Sequence, residues 1–354
     1  MFFASDNTAP VAPEVWAAMA AVNEVQTKSY GADPMMGALT LQMRHLFEAP
    51  TATTYLVPTG TAANALSLAL QTPPWGSIFC HPQAHIEKDE CGAPEFFTNG
   101  AKLVLVDGPH GKMTPQSLRR TIEASGLGGV HSVQRGLVSL TNVTESGTVY
   151  QLDEVKALTR VAKEFGLPCH MDGARFANAL VATNAKAADM TWRAGIDILS
   201  FGGTKNGLMG VEAVVLFHPH QAWEFELRRK RAGHLMSKHR FMSAQMQAYL
   251  QDDLWLNLAK RANDSAADLV QAMGKLPYVT FDHPTDANII FARWPRKFHQ
   301  ILHDAGAYYY LNDGETLMGG ATLFWGRGLC ARGRRQRRIL IISGASLQVI
   351  EFLL

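Results

Sequence analysis

Between residue 54 and about residue 215 the chain alternates short apolar runs with longer stretches whose apolar residues recur at helical spacing. Residues 55–57, 103–106, 136–141, 167–171, 195–199 and 211–218 have the length and apolar character of strands. Residues 59–71, 115–125 and 152–165 have the period of helices packed on one face. Such alternation predicts an α/β architecture built on a largely parallel sheet. Two helices are expected ahead of it, one opening at Pro13 after Ala12 and one over 39–47. Behind it, 242–273 reads as one or two long helices with Trp255 in the core, followed by a strand from Ala287. The division expected is a large domain over 1–245 and a small one over 246–354.

Composition narrows the class without naming a chemistry. With 354 residues, 47% of them hydrophobic, 18% charged and a net charge of +2, the chain has the make-up of an ordinary soluble globular protein. So small a charge gives no reason to expect nucleic acid or an acidic membrane as partner. Cys80, Cys91, Cys169 and Cys330 show neither CxxC nor zinc-like spacing, so no metal site or disulfide framework is expected. Asp6 interrupts the apolar start, no basic segment precedes it, and no run reaches the roughly 18 to 20 apolar residues of a membrane span. The expected location is the cytoplasm.

Four stretches carry candidate chemistry. In Ser200-Phe-Gly-Gly-Thr-Lys-Asn-Gly207 a single lysine, Lys205, sits among small residues. Glycines let backbone and ligand approach closely, and a partly desolvated amine is a nucleophile able to form a Schiff base. Taken alone, the same stretch reads equally as a surface lysine in a turn. Upstream, Asp172 in His170-Met-Asp-Gly-Ala-Arg175 stands at the expected C-terminal end of a strand, where open α/β sheets bind ligands. Thr59-Gly60-Thr61 opens a helix whose first N–H groups, at Gly60, Thr61 and Ala62, suit a phosphate, although an ordinary threonine cap looks the same. His81 and His85 straddle a proline and share no helix face, which argues against a metal; His85 is free to stack on a flat ring or to be a structural histidine.

The combination of His170-Met-Asp-Gly-Ala-Arg175 with Ser200…Thr204-Lys205 resembles the threonine aldolases, in particular their low-specificity and phenylserine aldolase branch, over about residues 5–288. That resemblance implies the aspartate aminotransferase-like fold (fold type I), with a mostly parallel seven-stranded sheet and a small C-terminal α/β domain. It implies pyridoxal 5'-phosphate bound covalently on Lys205, with Asp172 keeping the pyridine nitrogen protonated, Arg175 at the phenolic oxygen and His85 stacked on the ring. Glu90 is left either orienting His85 or approaching substrate. Ser5, Tyr30 and Arg175 are implied at the substrate, Ser5 being a plausible helix cap as well. Arg231 and Lys238, in a basic run that otherwise reads as a solvated helix face, are implied to reach a neighbouring subunit's phosphate, in a homodimer or homotetramer with shared sites. The implied reaction is cleavage of L-β-hydroxy-α-amino acids, threonine, allo-threonine or phenylserine, to glycine and an aldehyde. β-Elimination, transamination, racemisation or a catalytically impaired relative are the alternatives.

Two departures from the family pattern stand out. Thr144 occupies a place where several members carry histidine, which removes one candidate base for the β-hydroxyl proton. From about residue 311 the small-domain pattern gives way to six arginines between Arg327 and Arg338 and an apolar run over 339–354. Arg332 and Arg335 are the nearest candidates there for a clamp on the substrate carboxylate, a task suited to guanidinium.

Overall fold

A computed structural model describes residues 2–24, 26–311, 318–324, 337–343 and 346–352. Its centre is a seven-stranded sheet formed by β1 (Thr53–Val57), β2 (Gly76–Cys80), β3 (Lys102–Leu105), β4 (Gln134–Thr141), β5 (Cys169–Gly173), β6 (Ile198–Phe201) and β7 (Glu212–Leu216). Their order across the sheet is β1-β7-β6-β5-β4-β2-β3. Neighbours from β6 to β3 pair in parallel, while β7 runs against both β6 and β1. Six strands therefore point the same way, and the loops leaving β1, β2, β4, β5 and β6 open on one edge.

The strands β2, β5, β6 and β7 are buried along their whole length. That is why β6 and β7 read as nearly continuous apolar runs rather than alternating ones; β5 carries His170 and Asp172 as well, and β2 was not among the expected strands. β6 begins three residues later than the sequence suggests. Gly195 caps the preceding turn at φ 97°, a left-handed conformation that delays the extended chain. Helices Pro13–Val22, Gly60–Gln71, Pro115–Ala124 and Leu152–Glu164 form where the periodicity places them, while the one expected over 39–47 begins earlier, as Pro34–Leu46, because Asp33 caps it and Pro34 suits its first position. Asp33, Thr59 and Thr114 cap their helices by accepting N–H groups of the first turn. The long segment after the sheet is two helices, Arg240–Leu250 and Leu254–Met273.

A second sheet joins β8 (Thr280–Phe281), β9 (Ile289–Pro295), β10 (Tyr310–Leu311) and β11 (Met318–Phe324) in the order β10-β11-β9-β8, all antiparallel. β11 pairs with β9 along its full length. β12 (Arg337–Ser343) and β13 (Ser346–Phe352) pair as a hairpin. Arg327, Arg332, Arg335 and Cys330 lie outside the described residues. Among the described residues no helix is long and apolar enough to cross a membrane, and no group of three or more metal-ligating side chains gathers.

Candidate active site

Asp172 is the penultimate residue of β5 and lies in register with Ser200 on β6, so the loop carrying Lys205 leaves the sheet beside it. The Asp172 carboxylate is buried and doubly held: Oδ1 accepts the Ala174 N–H at 3.0 Å and Oδ2 accepts Asn64 Nδ2 at 2.9 Å. Below it, buried His170 sits between Ser139 Oγ and Ser200 Oγ, 3.0 Å from each, so its ring links β4, β5 and β6. Burial pushes the imidazole down to about 4, and it stays neutral.

The Lys205 turn is fixed from several sides. Gly203 N–H donates to Glu212 Oε2 at 2.6 Å, and Val211 N–H donates to Thr204 Oγ1 at 3.2 Å. Asn206 Nδ2 donates to Tyr249 Oη at 2.7 Å and to the Trp255 carbonyl at 2.9 Å. A Cβ at Gly202 would fall 2.2 Å from the Ala174 carbonyl oxygen, and one at Gly203 would fall 2.7 Å from the Val211 oxygen, so the chain passes here only as glycine. Burial pushes the Glu212 carboxyl up to about 7, against its hydrogen bonds from Thr204 and Gly203 and the charge of Lys205. The Lys205 amine itself is half-buried and has no hydrogen bond or ion pair among the described residues. It is anchored at the backbone and free at its tip.

His85 is half-buried, and its Nδ1 lies 2.8 Å from Oε1 of buried Glu90. That bond raises the imidazole above its ordinary value; burial opposes, Asp172 and Glu145 add, and Lys205 subtracts. Burial also raises the Glu90 carboxyl, helped by the like charge of Asp172, although the bonds from His85 and Asn64 oppose it. His85 thus feels both Asp172 and Lys205, which puts the three within one electrostatic neighbourhood.

Arg175 is buried and forks onto Asp6, with Nε to Oδ2 at 2.6 Å and Nη2 to Oδ1 at 3.1 Å. Its Nη1 stands 3.9 Å from Glu145, and Asn288 reaches Asp6 Oδ2 at 3.4 Å. Burial works against the Asp6 carboxylate, but Arg175 and Lys205 outweigh it and hold its pKa below the ordinary value. Ser5 caps the short turn Asp6–Thr8 by accepting the Asn7 N–H at 3.1 Å. At the start of helix Gly60–Gln71, Ala62 donates its N–H to Thr59 Oγ1. Gly60 and Thr61 leave theirs without an acceptor among the described residues, and the space where a Cβ of Gly60 would lie is open. Tyr30, at φ 57°, is exposed, with the Lys230 amine 4.8 Å from its ring centre. Arg231 and Lys238 are exposed. Arg231 lines a cavity of about 490 Å³ with Leu66, Phe96, Phe97 and Leu227. Thr144 is buried and bonded to Thr148 at 2.8 Å.

Asn64, Asp6, Glu145, Asn288 and Glu212 were not legible as site residues. Asn64 carried a signal: it is the one amide in the apolar helix run Ala62-Ala63-Asn64-Ala65-Leu66. Buried polar groups need partners, and its partners are the two carboxylates. The others meet their partners only through the fold.

The donor set suits pyridoxal phosphate. It offers a free amine, a doubly held carboxylate at the end of the next strand, an imidazole nearby and two unused N–H groups at a helix start.

Comparisons with known proteins agree. Residues 3–294 match the beta-eliminating lyase family. The chain is 40% identical to a low specificity L-threonine aldolase of Pseudomonas aeruginosa over 97% of its length and 98% of that protein's. It is 39% identical to a protein of the same description from a Pseudomonas species (strain NCIMB 10558), over 95% and 94%. A solved Leishmania major threonine aldolase superposes with a TM-score of 0.86 at 26% identity, covering 92% of this chain and 94% of that one. The strand order and the neighbouring folds are those of fold-type I enzymes, whose cofactor is pyridoxal phosphate held by a lysine. The chain belongs to the beta-eliminating lyase family, and within it to the threonine aldolases.

Proposed function

We propose that the protein cleaves L-β-hydroxy-α-amino acids, threonine first and allo-threonine and phenylserine with it, to glycine and an aldehyde. The observation that carries this reading is the pairing of an unbonded Lys205 amine with a buried, doubly held Asp172 at the ends of adjacent strands. When bound, pyridoxal phosphate supplies a sink for the electron pair left on Cα when Cα–Cβ breaks.

The chain's residues do the rest. Lys205 holds the cofactor covalently, and Asp172, fixed in place by its two hydrogen bonds, keeps a proton on the ring nitrogen. Arg175, steered by Asp6, serves the phenolic oxygen. Gly60 and Thr61, with Ala62 beside them, face the phosphate at a helix start. His85 covers the ring and accepts the β-hydroxyl proton, directly or through a water it orients. Ser5 and Tyr30 bind the amino acid. Arg231 and Lys238 serve a second subunit's phosphate in a homodimer or homotetramer, a role that fits the exposure of both side chains. Residues 1–245 act as the cofactor-binding domain and 246–354 as the smaller one. The setting is the cytoplasm.

The family description favours β-elimination as the second reading. One assay separates the two: purified protein is given L-threonine, L-allo-threonine and phenylserine, with glycine and aldehyde measured, and L-serine, with pyruvate measured. Glycine and aldehyde are expected, with a yellow protein whose colour and turnover both vanish in Lys205→Ala. Pyruvate without glycine sinks the aldolase reading, and a fully active Lys205→Ala protein sinks the lysine assignment.

A further inference from the structure

Four side chains from three separate stretches of chain meet under the open edge of the sheet. Asn64 Nδ2 donates to Glu90 Oε1 at 2.8 Å and to Asp172 Oδ2 at 2.9 Å. Glu90 Oε1 also lies 2.8 Å from His85 Nδ1. Chemistry fixes the orientation of the amide. Its oxygen in that place would face two carboxylate oxygens with no proton between them, whereas the NH2 group offers one N–H to each. The Glu90 side chain is wholly out of solvent while a quarter of the His85 side chain is exposed. Nδ1 is therefore the ring nitrogen committed inward, and Nε2 has no hydrogen-bond partner among the described residues. Glu90 Oε2 and Asn64 Oδ1 are buried with no donor, so the network holds negative charge that a proton on the imidazole would balance.

We propose that Glu90 and Asn64 are positioning residues for the cleavage: Glu90 keeps the His85 proton on Nδ1, which makes Nε2 the proton-accepting atom, and Asn64 holds Glu90 and Asp172 apart at a fixed distance by donating to both. The inference rests on the aldolase reading above. In the step it serves, the β-hydroxyl O–H breaks and Nε2–H forms. The oxygen's electron pair becomes the second C–O bond of the aldehyde, and the Cα–Cβ pair stays on Cα. A carboxylate on Nδ1–H selects the tautomer with a bare Nε2 and stabilises the imidazolium that results. The charged groups facing this ring are Glu90, Asp172 and Glu145, which favour its charged form, and Lys205, which disfavours it.

The test reads the imidazole as well as turnover. Diethyl pyrocarbonate modifies only an unprotonated ring nitrogen, so the pH dependence of His85 modification, followed by peptide mass mapping of the full-length holoenzyme, reports its protonation. For Glu90→Gln the midpoint is expected to fall by about one pH unit or more, because an opposite charge at hydrogen-bond distance is lost. The acid limb of kcat/KM for threonine should move with it, and kcat should fall at least about tenfold while KM changes little. Asn64→Leu removes the donor that holds Glu90 and is expected to lower the same midpoint, so it carries the test if Glu90→Gln fails to fold. A folded Glu90→Gln or Asn64→Leu protein with an unmoved midpoint overturns the proposal. A wild-type protein that cleaves no β-hydroxy amino acid overturns the aldolase reading instead, and the midpoint still tests whether Glu90 controls the ring.

Discussion

Asp6, Arg175 and Asn288 are as deeply buried as Leu269, Ile290 and Trp294, yet the two groups are held in opposite ways. The apolar group belongs to a cluster that joins helix Leu254–Met273 to β9, with Phe3 and Phe298 in it. Its stability comes from area removed from water, and any side chain of similar shape would serve. The polar group gives up the hydration of two charges and recovers it only because the Arg175 fork meets the Asp6 carboxylate at 2.6 and 3.1 Å. Such a pair is a poor way to gain stability and a good way to fix a guanidinium beside Asp172. The difference shows where this molecule invests in stability and where it invests in position.

Three substitutions or conditions sharpen that contrast. Asp6→Ala leaves Arg175 charged and buried without its carboxylate, and about 3–5 kcal/mol of stability should be lost. Urea unfolding checks this, and turnover on threonine should fall together with stability. Leu269→Ala empties part of the second cluster and should cost about 2–4 kcal/mol, yet kcat/KM on the remaining folded protein should stay near the wild-type value. Equal damage to kcat/KM from both would erase the distinction.

The smallest effect concerns acid. His170 has a folded-state pKa of about 4 against an ordinary 6.5, so the unfolded chain takes up a proton first as pH falls. Its contribution is full above about 6.5 and is lost as pH drops toward 4, which makes stability decline through that window. Glu212, held at about 7 by burial, contributes a slope of opposite sign between about 7 and 4.5, so the His170 share is read as the difference between wild type and His170→Gln in unfolding free energies measured at several pH values from 7 to 4. Buried His239, also pushed down to about 4 by burial, adds a slope of the same sign as His170.

How much could be read in advance follows from the same contrast. Asp172, Lys205 and His85 announced themselves because each stands in a short local motif after an apolar run. Most of the sheet was legible because its inner strands are buried on both faces, and the helices because they bury one. Asp6 stands with Ser5 in a segment the resemblance places near the substrate, but nothing local pairs it with an arginine. Only the fold brings Asp6 to Arg175, 169 positions away, and to Asn288, 282 positions away. Glu145, next to Thr144, carries no local signal, although its carboxylate acts on both Arg175 and His85. Contacts of this range leave no periodicity. Asn64 is the exception, a lone amide in an apolar helix.

The first few residues have a practical consequence. Phe2 bridges to Tyr308, Phe3 donates its N–H to the Tyr308 carbonyl at 2.7 Å, and Asp6 ends on Arg175. Five consecutive residues, 2–6, thus stitch the second sheet's neighbourhood to the catalytic edge. An affinity tag or fusion partner placed ahead of them would tug on that seam, and an exopeptidase that nibbled it away would unmoor the guanidinium. Expression work on this enzyme is better served by a handle elsewhere.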